Sequence, residues 1–506
     1  MNKILTSKQI QQVDRYTIEH EPIASIDLME RASKRFYKRL KKIAGKSLYK
    51  NPVHVVVGTG NNGGDGLVVA RFLKEDGADV RISIVQLSEQ GSPDFETNKE
   101  RAIELGIPIH SIQASEDVPD FNSEDLVIDA IFGTGLSRPA EGIAGETIQK
   151  INAASPIVVS VDIPSGLYGE DNSENLKDNI VRADYTITFQ VPKLSFFFAE
   201  NEIFLGRWYV EDIGLHPDGI QEQESNYYFI DQRLIQSLHR DRRAFAHKGS
   251  FGHALIVAGS YGMTGAAVLS ANACSRSGCG LTTIYAPKSA YTILQSTIPE
   301  AMCIADENEQ FITAPPKQLD YTCIGIGPGM GTDEQTAKAL KLFIQNSPCP
   351  LVLDADALNI LSENPTWMAY LPEGSILTPH PGEFARLIGS KAVGYENIRH
   401  QIALSVKHRV YIVLKGAYTS ISSPDGNVFF NTTGNPGMAT GGSGDVLTGL
   451  LSGLRASGYS SLETVLMGVY LHGLAGDLAL KKQSMESLRA RDLVEYFGKA
   501  FQEISG

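Results

Sequence analysis

Two glycine strings carry the chemistry most plainly written in this chain. Residues 434–445, GNPGMATGGSGD, set small residues and a terminal carboxylate directly ahead of a helical pattern beginning at Val446. Glycines let the backbone come close to a ligand, and a helix start leaves several N–H groups unpaired, so such a turn can cradle an oxyanion or a phosphate. Asp445 stands where that cradle would need a base, although an acid at a helix start also serves as a simple cap. A loop needs one or two glycines, not this many, and the string as a whole points to function. The other string, GTGNNGGDG at residues 58–66, follows an apolar strand pattern and opens a helix expected to begin near Leu67. It too suits an anion at a helix N-terminus. Its spacing is not G-x-G-x-x-G in the standard register, so no redox dinucleotide fold follows from it.

Other acids and bases fall at comparable places. Asp129 in DAIFGTG and Asp162 in DIPSG each end an apolar run, so two acids finish two strands of one sheet. Buried carboxylates are costly unless paired, hydrogen-bonded or bound to a cation, so Asn62, Asp129 and Ser165 can together offer oxygen ligands to a metal ion. Structural capping by either acid is the plain alternative. In the second half, Lys415 in LKGAYT can neutralise a nucleotide phosphate, with Gly416 and Ala417 permitting close approach, or it is simply solvated. His380 in HPGE can hydrogen-bond a substrate, and Glu383 can bind magnesium directly or through water, or cap a helix. Asp354 and Asp356 in LDADALN can order water around that magnesium or shape a strand end. GPGMG at residues 327–331 leaves a surface without side chains, suited to a flat ring or a phosphate, or else makes a tight turn.

These residues need a scaffold that brings strand ends together. Apolar runs at 53–57, 80–85, 126–131, 157–161 and 185–189 alternate with helical or polar stretches, the pattern of a mainly parallel sheet with helices on its faces. A polar stretch at residues 214–226 without apolar period reads as a linker. The same grammar restarts at 254–258, with further strands expected at 321–326, 351–353, 375–377 and 410–414. In open α/β sheets ligands bind beyond the carboxyl ends of the strands, which is where the unusual residues lie.

The chain of 506 residues is too long for one ordinary core. Its apolar content of 42% and charged content of 20% are those of a globular protein. A net charge of −13 argues against a nucleic-acid partner. No apolar run is long enough for a membrane span, and five scattered cysteines fit reduced thiols, so a cytoplasmic location is expected.

The first half resembles the NAD(P)H-hydrate epimerases, the YjeF N-terminal family, through GNNGGDG, DAIFGTG, VDIPSGL, ADYTITF and the opening LTSKQIQQVDRYTIE. The second half resembles the ADP- or ATP-dependent NAD(P)H-hydrate dehydratases, relatives of ribokinase-like sugar and vitamin kinases, through HKGSFGHALIVAGS, IGIGPGMG, LDADALN, LTPHPGEFARL, LKGA and GNPGMATGGSGDVLTGLLSG. Together the halves resemble the bifunctional nicotinamide-hydrate repair enzymes. The resemblance implies an epimerase domain over residues 1–215, a Rossmann-like three-layer sandwich, and a ribokinase-like αβα dehydratase domain over residues 226–506.

It further implies that Asn61, Asn62, Gly63, Gly64, Asp65, Gly133, Thr134, Gly135, Leu136, Ser137, Arg138, Pro139 and Asp162 line a hydrated NADH or NADPH. Asn62, Asp129 and Ser165 would hold potassium, and Asp162 would be the acid/base. In the second domain Ala254, Gly329, His380 and Asp445 would meet the substrate. Lys415, Gly416, Ala417, Tyr418, Thr419 and Gly444 would meet ADP or ATP, with magnesium at Glu383. Sugar and vitamin kinases commonly carry Asn where His380 stands, which favours dehydration over a vitamin or sugar kinase fused to a nucleotide-binding domain. Relatives assemble into homo-oligomers, so self-association is expected.

Overall fold

The computed structural model describes residues 2–505. The chain divides between Ser225 and Asn226 into two compact units, with Val393–Tyr395 grouped with the first and Asn2 with the second. Among the described residues no helix is long and apolar enough to cross a membrane.

The first unit is built on seven strands: β1 (Val53–Val57), β2 (Val80–Val85), β3 (Ile109–Ile112), β4 (Leu126–Ala130), β5 (Ile157–Val161), β6 (Tyr185–Phe189) and β7 (Arg207–Glu211). They lie in the order β3-β2-β1-β4-β5-β6-β7, every pair parallel. The central strand β1 is buried throughout, as a strand covered on both faces must be. Val53, Val55 and Val57 belong to one core cluster, whereas Val56 belongs to another with Val127 and Val158, so alternate residues fill the two faces. The strand order reverses between β1 and β4. A crevice opens at such a switch point beyond the carboxyl ends, and both GTGNNGGDG and DAIFGTG begin there.

Here the structure moves a boundary. The helix after β1 runs Asn61–Glu75, starting six residues ahead of Leu67, so Gly63, Gly64 and Gly66 sit within its first turns and not in a loop before it. They are needed because the helix packs almost backbone to backbone. A Cβ on Gly63 would stand 1.8 Å from the Gly58 carbonyl oxygen, and one on Gly66 would stand 2.7 Å from both Ala130 Cβ and Val57 Cγ1. Gly63→Ala should therefore lower stability by about 3 kcal/mol, read as a lower urea midpoint, although alanine is the better helix former in isolation. A midpoint equal to or above that of the wild type would refute the packing argument.

The stretch at 214–226 is not a bare linker. It contains the helix Pro217–Glu222, capped by His216 through Asp218 N–H, and Gly219 packs so close to Tyr16 that a Cβ would stand 2.9 Å from its ring. Short length and one apolar anchor, Ile220, hid it from a periodicity argument.

The second unit carries β8 (Tyr227–Ile230), β9 (His253–Val257), β10 (Leu281–Ala286), β11 (Met302–Ala305), β12 (Cys323–Ile326), β13 (Leu351–Leu353), β14 (Ile376–Leu377), β15 (Tyr411–Leu414), β16 (Ser420–Ser422) and β17 (Val428–Asn431). They lie in the order β8-β17-β16-β15-β14-β13-β12-β9-β10-β11. The run from β15 through β11 is parallel, whereas β16 is antiparallel to both its neighbours. Order reverses between β9 and β12, whose carboxyl ends carry the turns at Gly259 and Gly327. Helix Ser443–Ala456 crosses beside these strands and against helix Thr264–Ser275, where a Cβ on Gly449 would stand 1.9 Å from Ser270 O. That near-contact fixes where the helix, and hence its N-terminus, must point. Apolar clusters fill both faces of the sheet.

Candidate active sites

In the first unit the switch-point crevice deepens into a cavity of about 780 Å³. Asn61, Asn62, Asp65, Gly133, Thr134, Gly135, Leu136 and Asp162 line it. Gly63 and Gly64 are buried behind it, packed on Gly58 and Met29, and Ser137, Arg138 and Pro139 lie beyond its walls.

Asp162 follows β5 with φ of +64°, a left-handed conformation that a non-glycine residue holds only when its surroundings enforce it. Those surroundings are explicit. Its N–H donates to Ile187 O (2.9 Å), and its Oδ1 accepts from Phe189 N (3.0 Å), Thr188 Oγ1 (2.9 Å) and Lys193 Nζ (2.7 Å). Lys193 is only 1% exposed and also donates to Thr188 Oγ1 at 2.9 Å. The sequence reading missed this lysine. Its signal was one charge set in the apolar run between Val191 and Phe198.

Asp14, within the opening LTSKQIQQVDRYTIE, is a second residue whose place only the fold discloses. It lines the same cavity from helix Ser7–His20, and burial, reinforced by the charge of Asp162 and opposed by Lys193, pushes its carboxyl up to about 6. Asp65 is pushed well above the carboxylate range by burial, against which Ser33 Oγ donates to it at 3.0 Å.

Behind the cavity wall, Asp129 is fully buried at the end of β4. Its Oδ2 accepts from Ser160 Oγ (2.7 Å) and Ser165 N (2.8 Å), and Ser165 Oγ donates to its Oδ1. Ser165 Oγ accepts from Phe132 N (2.8 Å), and Asn62 Nδ2 donates to Phe132 O (3.0 Å). Asn62, Asp129 and Ser165 thus meet through Phe132 in one knot, to which Asp129 and Ser165 bring oxygens and Asn62 its amide nitrogen. Burial raises the Asp129 carboxyl, and its hydrogen-bond partners, all neutral, oppose that.

In the second unit the chemistry gathers where β13, β15 and helix Ser443–Ala456 converge. Asp354, 1% exposed, follows β13 and accepts from Lys415 Nζ (2.8 Å) and Thr448 Oγ1 (2.7 Å). A Cβ on Gly444 would stand 3.3 Å from Lys415 Nζ, which places the lysine against the first turn of the helix. Asp445 sits on that same turn. Burial first and Asp354 second raise its carboxyl to about 6, with Lys415 pulling the other way. The start of the glycine turn is tied by Asp477, which accepts from Gly434 N and Asn435 Nδ2, both at 2.9 Å. The end is tied by His472, whose Nε2 donates to Ser443 O at 3.0 Å. Burial pulls the His472 ring down to about 4, so it stays neutral in that role. His472 was invisible in sequence because it interrupts a long apolar helix as one polar residue.

His380 and Glu383 realise the structural alternative, and Glu383 also reaches toward Lys415. His380 caps helix Pro381–Ile388, its Nδ1 accepting from Gly382 N (3.0 Å) and Glu383 N (3.3 Å), and Glu383 Oε2 accepts from His380 N at 2.8 Å. That reciprocal arrangement is a capping box. The same Glu383 Oε2 lies 3.8 Å from Lys415 Nζ. Asp356 is likewise structural, accepting from Gly331 N at 2.9 Å and so holding the GPGMG turn. Residues 416–419 form the turn from β15 to β16, closed by Thr419 Oγ1 donating to Gly416 O at 3.1 Å.

One expected contact is corrected. Ala254 lies inside β9, fully buried and near the strand's amino end, paired with Thr282 and Cys323, so no ligand at the carboxyl ends reaches it. The alanine facing Gly329 is Ala266, whose Cβ would be 2.9 Å from a Cβ there.

Comparison with known proteins covers both units. A family model described as NAD(P)H-hydrate dehydratase matches residues 254–499, and one described as YjeF-related protein N-terminus matches residues 25–195. The bifunctional NAD(P)H-hydrate repair enzyme Nnr of Moorella thermoacetica is 34% identical over 97% of this chain and 95% of its own. Its counterpart from Thermofilum pendens is 34% identical over 99% and 97%. A solved ADP/ATP-dependent NAD(P)H-hydrate dehydratase from Bacillus subtilis, co-crystallised with ATP and Mg2+, is 30% identical, covering 55% of this chain and 98% of its own at a TM-score of 0.48.

Proposed function

Since the chain belongs to the bifunctional NAD(P)H-hydrate repair enzymes, we propose that its two sites divide the repair, the first interconverting R and S hydrates of NADH and NADPH and the second dehydrating the S form. The observation that carries the second assignment is Asp445, raised to about 6 by burial and set on the helix turn that Lys415 touches. A base beside a cation and a row of backbone N–H groups suits phosphoryl transfer from ADP or ATP.

In the second site Asp445 takes the proton of the C6 hydroxyl as that oxygen bonds to the terminal phosphorus and the phosphoanhydride bond breaks. The N–H groups of Gly441, Gly442 and Gly444 and the ammonium of Lys415 hold the phosphoryl oxygens as charge builds. The C6–O bond then breaks with phosphate as leaving group, C5 gives up a proton, and the dihydronicotinamide ring is restored. Glu383, whose Oε2 lies 3.8 Å from Lys415 Nζ, would hold magnesium directly or through a water. When bound, the cation would neutralise phosphate charge.

In the first site Asp162 exchanges a proton with the C6 hydroxyl as it leaves and returns. The knot of Asn62, Asp129 and Ser165 fits potassium, since Asp129 and Ser165 bring hard oxygens to a buried carboxylate whose hydrogen-bond partners are all neutral, and Asn62 would add its Oδ1 on turning its amide away from Phe132 O. A bound potassium would balance that charge. A cytoplasmic setting suits the five free cysteines. Self-association, expected of such a chain, is open to light scattering.

The reading is tested by adding the chain to mixed R and S hydrates with ADP or ATP and following reduced nicotinamide absorbance. Complete recovery is expected, and Asp162→Asn should leave the R form behind. Accumulation of a phosphorylated small molecule without recovered absorbance would instead identify a vitamin or sugar kinase.

A further inference from the structure

We propose that Asp14 is a second proton-transferring carboxylate of the first site, acting on the C6 oxygen together with Asp162 from a different element of the same cavity. This rests on the reading of that cavity as the epimerase site. Ile10, Gln11, Asp14, Arg15 and Ile18 all line it, which is one face of helix Ser7–His20. The other face is anchored, with Val13 buried against a cluster containing Leu28, Ile213 and Leu215. A capping box between Thr6 and Gln9 fixes the start of the helix. Asp14 is therefore presented by a rigid element, although it precedes the matched family region that begins at residue 25.

The carboxylates around the cavity differ in what they already hold. Asp162 carries an ammonium at 2.7 Å and two further donors. Asp65 accepts from Ser33, and Asp94 accepts from Ser25 Oγ at 2.6 Å. Among the described residues Asp14 has no side-chain hydrogen bond or ion pair, and Arg15 beside it is exposed. It is the acid left available to a ligand, and with its carboxyl near 6 it changes protonation close to neutrality. Two carboxyl groups in unlike surroundings can take the acid and base roles separately.

The chemistry balances. Protonated Asp14 gives its proton to the C6 hydroxyl, the C6–O bond breaks as the N1 lone pair forms a C=N bond, and water leaves. A water on the opposite ring face adds to C6 while Asp162 takes one of its protons, and the C=N pair returns to N1. One water leaves and one enters, one proton is given and one taken. The two carboxyl groups end with protonation states exchanged, ready for the reverse passage or for reset by solvent.

Asp14→Asn in the full chain should slow epimerisation by roughly 100-fold or more while KM for the hydrate stays within about threefold. Dehydration of the S hydrate by the same preparation should be unchanged, showing that the chain is folded. Exchange of the C6 oxygen with ¹⁸O-labelled water should continue without inversion, because Asp162 can still release and return water on its own face. Asp14→Glu should recover part of the rate. Epimerisation within about threefold of wild type, or equal loss of exchange and inversion, would overturn the proposal. A wild-type chain that does not epimerise would overturn the reading of the cavity and this proposal with it.

Discussion

Asp445→Asn stops nucleotide-dependent recovery of NAD(P)H, with a loss of about 10³-fold or more in kcat/KM, while epimerisation by the same chain proceeds at the wild-type rate. The sign of the pH dependence follows from the direction of the shift. Burial and the charge of Asp354 raise the Asp445 carboxyl to about 6, and the base works only when ionised. Wild-type kcat/KM for dehydration should thus climb with pH up to about 6 and then level off. The residual activity of the variant should lack that limb. A variant that dehydrates at a tenth of the wild-type rate, or keeps the limb, would remove Asp445 from the proton transfer.

Lys193→Met should lower stability as much as Gly63→Ala and abolish epimerisation as well. Its Nζ lies 2.7 Å from Asp162 Oδ1, with the two side chains 1% and 13% exposed. Removing one member of a buried ion pair leaves the other charge without a partner, at a cost of about 3–5 kcal/mol. Asp162 retains some solvent, so the lower end, about 3 kcal/mol, is expected in urea titration, with epimerisation lost. Adding Asp162→Asn to the methionine variant should restore most of the stability, since the amide oxygen still accepts from Thr188 and Phe189. It should restore none of the epimerisation. Equal instability of single and double variants would mean that methionine harms packing and not charge balance.

What the sequence made legible was the sheet and the residues at its ends. Apolar runs bounded by glycine mark buried parallel strands, and the acids at their ends, Asp129 and Asp162, fall where the fold needs polar groups satisfied, as Asp445 does at the start of its helix. Helix starts were less legible. Gly63 and Gly66 look like turn residues, yet they are helical because the strand ends leave no room for a Cβ, a fact about neighbours distant in sequence. Lys193, His472 and Asp14 were harder still, since each is a single polar residue in an ordinary apolar or amphipathic pattern. Their roles come from partners brought together by the fold. Ala254 erred the other way, as a small residue in a matching motif that turns out to be strand interior.

The cap on helix Pro381–Ile388 has a consequence for inhibitor chemistry. Because His380 Nδ1 receives two backbone N–H groups, the ring proton sits on Nε2, and the half-exposed edge of the imidazole offers a donor and no acceptor. A molecule lodged against that edge should carry a carbonyl, sulfonyl or ether oxygen. An amine or amide N–H in the same position would set donor against donor, and the ring cannot switch tautomer to accommodate it without uncapping the helix.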